Sequence, residues 1–138
     1  MMKFGKMNIK VENLEEALTI DFVNLCCTEL DIKPDSIEVV GTAYLADMAG
    51  AARRTGLCID LDEKNYMVIA AIKDRTLTEI YTTIAHEIVH IKQYMKEDLG
   101  KLLDSEKPIY EDRWWEKEAR EKSLVFVKKF VDILERIR

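Results

Sequence analysis

The stretch "TLTEIYTTIAHEIVHIKQYM", residues 76–95, decides how the rest of the chain is read. Ile80, Ile84, Ile88, Ile91 and Met95 recur at helical intervals and share one face, while Thr82, Thr83, His86, His90, Gln93 and Glu97 share the opposite one. Thr76 followed by Glu79 forms a capping box, so the spacing predicts a helix that starts there. The stretch also holds both histidines of the chain. Residues four apart lie one above the other on a helix, so His86 and His90 can reach a single metal ion, with Glu87 directly after the first.

The pattern His-Glu-x-x-His has a chemical reason. Two neutral imidazoles supply two nitrogen ligands to zinc, and a catalytic site adds a third protein ligand while keeping one position open. Zinc acidifies a water in that position and polarises a carbonyl; Glu87, about 100° round the helix from His86, takes the water's proton and returns it to the leaving amine. The extended metzincin form is excluded, since it needs Gly and His where this chain has Gln93 and Lys96. A third ligand comes from the last helix or not at all; there "WWEKEA", residues 114–119, offers Glu116 and Glu118 in the manner of gluzincins. At about 100° per residue the two side chains point roughly 200° apart, so both cannot face one ion.

The 138 residues suit one domain with a real core, read as spanning 1–138, and five Gly and two Pro leave little material for linkers. A net charge of −5 without any basic run argues against a nucleic-acid surface. No apolar run has the length of a membrane span or signal peptide, so a cytoplasmic chain without membrane attachment is expected. Cys26, Cys27 and Cys58 lack zinc-knuckle spacing and are expected reduced and buried.

The remaining elements follow from periodicity. Residues 13–30 predict an amphipathic helix capped by Asn13, and "SIEVVG" at 36–41 a short strand. Residues 42–56 read as a Gly-punctuated loop, with a turn of helix or a weak strand at its start. "LCIDL" and "YMVIAAI" flank the turn-like "DEKN" as a hairpin, and residues 114–138 form a closing amphipathic helix after a loop containing Pro108. The expected class is α+β: an N-terminal helix, a small, mostly antiparallel sheet of three or four strands, the His-Glu-x-x-His helix and a C-terminal helix.

"TIAHEIVHIKQYM", a short loop with Tyr110, and then "RWWEKEAREK" together resemble the small zincin-like metallopeptidases of bacteria and their phages, related to the ImmA/IrrE and minigluzincin groups. The likeness covers roughly residues 57–125. It implies a zincin-like domain in which His86 and His90 bind zinc, Glu87 is the general base, and Glu116 of the Glu-x-x-Ala motif, paired with Ala119, is the third ligand. Val89 and Trp114 stand where Gly and Pro are frequent in such proteins, and the cysteine zinc ribbon of SprT-type relatives is absent.

Helical faces favour Glu116 as well. Ala119, Ser123, Val127, Phe130 and Leu134 fall within about 60° of it, whereas Glu118 shares its direction with Lys129, Asp132, Glu135 and Arg136, a solvated stripe. Trp115, and less so Trp114, are expected to pack; Tyr94 and Tyr110 are surface or packing residues with a lesser claim to bond an oxyanion. Residues 52–54, "ARR", are a solvated loop or hold a substrate carboxylate. Strand 67–72 is expected at the sheet edge beside the cleft, where an extended peptide or protein segment adds as another strand. The expected activity is zinc-dependent peptide hydrolysis. The alternative is a catalytically silent regulatory or phage-related interaction protein, favoured if the 98–112 loop closes the cleft.

Overall fold

A computed structural model describes residues 7–46, 53–101 and 114–137. The elements run β1 (Asn8–Glu12), α1 (Glu16–Leu30), β2 (Ser36–Thr42), β3 (Leu45–Ala46), β4 (Arg53–Arg54), β5 (Gly56–Asp60), β6 (Asn65–Ala71), α2 (Leu77–Lys96) and α3 (Trp114–Ile137), with a further helical turn beginning at Leu99. The α+β class holds. The main sheet has four strands in the order β1-β2-β6-β5, and β3 pairs with β4 in a separate antiparallel ribbon.

The sheet is mixed rather than mostly antiparallel. β1 pairs parallel with β2, β2 pairs parallel with β6, and only the β5–β6 hairpin is antiparallel. The expectation failed because β1 was not recognised: "NIKVE" carries only two apolar side chains, and its strand character comes from pairing with β2 across the α1 crossover. The edge beside the candidate site is likewise β5 and not strand 67–72, because β6 lies between β2 and β5.

Alternate residues of β2 and β6, among them Ile37, Val39, Val68 and Ala70, are buried in one core with Phe22, Val23 and Cys26 of α1 and Ile84, Ile88 and Ile91 of α2. Helix α1 starts later than expected. Asn13 takes a left-handed backbone conformation and its amide donates to the Gly41 carbonyl, while Glu15 caps the helix by accepting from Leu18 N–H. Cys26 and Cys27 are buried and unbridged, and burial pushes the Cys27 thiol up to about 12. Cys58 departs from expectation, being half-buried on the pocket wall.

Helix α2 has the capping box as expected: Glu79 N–H donates to Thr76 Oγ1 at 3.1 Å and Thr76 N–H to Glu79 Oε1 at 2.9 Å. Its polar face is not solvated. Thr83 and Glu87 are buried against β5 at Gly56, and His90 and Gln93 against α3, with Trp115 and Ala119 inside that contact. No helix among the described residues is long and apolar enough to cross a membrane.

Thr76→Ala is expected to cost about 0.5–2 kcal/mol of stability in urea unfolding. The hydrogen bonds from Thr76 hold the Glu79 carboxyl below its ordinary value of 4.5. A depressed carboxyl contributes stability fully above that value and loses it as pH falls through the lowered folded value. The stability difference between the wild type and Glu79→Ala should therefore shrink in acid; a constant difference would rule out the carboxylate arm of the cap.

Candidate metal centre

Three side chains from two helices meet at one point. Glu116 Oε1 lies 2.9 Å from His86 Nε2 and 3.1 Å from His90 Nε2, and the three ligand atoms fall within 4.8 Å of one another. His86 and His90 are stacked one turn apart on α2, and Glu116 comes from the first turn of α3. Glu116 therefore lies where the face argument put it: Ala119, Ser123, Val127 and Phe130 are buried in line with it.

The donor set fits a cation. A tetrahedral zinc with bonds of about 2.0–2.1 Å separates neighbouring donors by roughly 3.3 Å, within a few tenths of an ångström of the two Glu116–histidine distances and inside the 4.8 Å that spans all three atoms. Burial disfavours the Glu116 carboxylate, yet the hydrogen bonds and charge of His86 and His90 outweigh it and hold the carboxyl well below its usual range. Burial likewise disfavours a charged His90, but Glu116, Glu87 and Gln93 together raise it above the ordinary imidazole value. The cluster is thus built to surround positive charge, whether protons or a metal ion.

Glu87 stands outside this trio and is only 9% exposed. Burial raises its carboxyl above the usual value, opposed by His90 and His86. Its carboxylate rests against β5 at Gly56, where a Cβ would fall 3.0 Å from Glu87 Oε2 and 2.4 Å from Thr83 Cγ2. Thr83 is itself oriented by Arg75, whose Nη2 donates to Thr83 Oγ1 at 2.7 Å and whose Nη1 donates to the Ala71 carbonyl at 2.7 Å. Gly56 thus allows the edge strand to lie directly on the polar face of α2. Its requirement is tertiary, so in sequence it reads only as loop punctuation.

An open pocket of about 650 Å³ lies between β5 and α3, with the trio and Glu87 in its wall. Arg54, exposed at the end of β4, contributes its only lysine or arginine among the described residues, and Tyr94 and Trp115 contribute aromatic wall. Trp115 is packed at 2% exposure and Trp114 is 42% exposed. Tyr110, Pro108 and most of the 98–112 loop lie outside the described residues, as do residues 47–52.

Glu118 corrects the expectation of a solvated residue. Its Oε2 accepts from Lys92 at 2.8 Å and Lys122 at 3.0 Å, and its Oε1 accepts from the Gln93 amide at 2.8 Å. Burial works against the charge, but these bonds lower its carboxyl to about 2. Periodicity pointed it away from Glu116 correctly; it missed Lys92 and Gln93 waiting on α2.

No protein-family model, curated protein or solved structure matches the chain.

Gly56→Ala is expected to cost about 1–3 kcal/mol through overpacking. Thr83→Ser removes the methyl but keeps the hydroxyl bound by Arg75, so it should recover much of that loss in the double variant. Strict additivity in a double-mutant cycle would show that the two positions do not press on each other. For the cluster itself, Glu116→Gln should lose the metal while Glu118→Gln retains it, as read by metal content after dialysis; the reverse result would overturn the ligand assignment.

Proposed function

We propose that this chain is a zinc-dependent peptidase of the small zincin-like, gluzincin type, cleaving extended segments of peptide or protein. The observation that carries this reading is the convergence of Glu116 Oε1 on both histidine Nε2 atoms in the wall of an open pocket, with a buried glutamate beside it. His86, His90 and Glu116 would hold the ion, and zinc rather than a harder cation suits two imidazoles and one carboxylate. When bound, zinc supplies Lewis acidity and lowers the pKa of a water toward about 7.

The chain's own residues account for the remaining steps. Glu87, raised by burial, is a better base near neutral pH than an exposed carboxylate. It accepts the proton of the attacking water and delivers it to the leaving amine. Because β5 is the edge of the sheet along the pocket among the described residues, an extended substrate backbone can pair with it and lie across the face of α2. Close seating at Gly56 keeps that backbone within reach of Glu87. Substrates are therefore expected to present unfolded or flexible segments.

Glu87→Gln should keep the fold and the zinc but abolish hydrolysis of an unstructured peptide, since the amide cannot accept the water's proton. Equal turnover by wild type and variant would remove Glu87 from the mechanism. Zinc at about 100 times its Kd should stabilise the folded chain by about 2.7 kcal/mol, and chelator should reverse this. Stoichiometric zinc with no hydrolysis of any unfolded substrate would favour a catalytically silent role.

A further inference from the structure

Gln93 is fully buried on the polar face of α2, and neither metal ligation nor proton transfer uses it. Its amide nitrogen donates to the Trp115 carbonyl at 2.9 Å and to Glu118 Oε1 at 2.8 Å. A backbone carbonyl and a carboxylate can only accept, so the NH₂ end of the amide must face α3. Its oxygen is thereby turned to His90 Nδ1, 2.7 Å away. An amide oxygen also only accepts, so His90 carries a proton on Nδ1. Nε2 meets Glu116 Oε1, also an acceptor, so without a metal the ring donates at both nitrogens, and an ion that takes the place of the Nε2 proton finds the lone pair on that atom.

We infer that Gln93 is a positioning residue of the metal centre: it selects the His90 tautomer that ligates through Nε2, and Glu118, braced by Lys92 and Lys122, fixes the amide in the orientation that does so. This rests on the reading of His86, His90 and Glu116 as metal ligands. The two acceptors on α3 divide the task. Trp115 supplies a carbonyl whose position is set by the helix backbone, and Glu118 supplies a charge held between two lysines. Reversing the amide would set its NH₂ against Nδ1–H and its one oxygen against two acceptors, with no donor among the three. The same helix face that lacks the glycine of the metzincin pattern thus carries a group with its own role. The packing between α2 and α3 and the electronic state of His90 are set by one side chain.

The test uses zinc as the probe on the full chain, with two readouts: affinity by competition against a chromophoric chelator, and imidazole nitrogen shifts of the zinc-loaded protein, which tell the ligating nitrogen from the protonated one. Wild-type His90 is expected to be protonated on Nδ1. Gln93→Leu should lose about 10–100-fold in zinc affinity and show a mixture of tautomers. Gln93→Glu combined with Glu118→Gln keeps an acceptor against Nδ1, so it should keep the wild-type tautomer, while the Trp115 carbonyl, left without its donor, should lower the melting temperature. Glu118→Gln alone, with the Trp115 carbonyl still in place, should lose less than Gln93→Leu. A residue that merely bridges the helices would lower the melting temperature of the metal-free protein and leave the tautomer unchanged, which overturns the inference. Should Gln93→Leu fail to fold, a wild-type His90 protonated on Nε2 overturns it without any variant. Zinc uptake with undiminished affinity in Gln93→Leu overturns this inference alone, whereas a wild-type chain that takes up no zinc overturns it together with the metal reading.

Discussion

Helix α2 is covered on two sides, and one of those sides is polar. Its isoleucines pack into the core with β6 and α1, as an amphipathic helix requires, while β5 closes over Thr83 and Glu87 and α3 over His90 and Gln93. Polar groups removed from water are costly unless each finds a partner, at roughly 1–3 kcal/mol for an unmatched group. Among the described residues no buried side-chain nitrogen or oxygen lacks one. The arrangement of α3 follows from this demand: Glu116 must meet the imidazoles, Glu118 must meet Gln93 and Lys92, and the Trp115 carbonyl must meet the same amide.

The sheet plays the complementary part. Parallel pairing of β1, β2 and β6 forms a base on which the hairpin partner β5 is the exposed edge, and the glycine at its start lets that edge approach α2. Arg75 ties the end of β6 to the first turns of α2 through Ala71, Glu79 and Thr83. The geometry of the pocket is thus determined from below by strand order and from above by helix packing.

What could be read from the sequence divides along the range of the interaction. The α2 helix, its cap and the shared face of His86 and His90 depend on residues three or four apart, and they were legible. So was the inward direction of Glu116, because its buried neighbours repeat along the same helix. Strand β1 was not, since five residues with two apolar side chains become a strand only when β2 is present. Parallel or antiparallel pairing, the edge position of β5 and the need for Gly56 depend on elements that are distant along the chain. Gln93 and Glu118 illustrate the same limit: each alone reads as a polar surface residue, and only their meeting across two helices gives either a role.

The two histidines and Glu116 are separated by 26 and 30 residues of chain, and that segment leaves α2 and returns as α3. An ion held by all three would be a removable cross-link between the two helices. Closing a loop of such length costs the unfolded chain several kcal/mol of entropy in the simple polymer picture, and a metal clip removes that freedom as a disulfide does. Unlike a disulfide, it would answer to metal availability rather than to redox potential. A chain with three unbridged cysteines would thus have its covalent-like staple at the candidate metal centre, and loss of the ion would loosen the last helix as it emptied the centre.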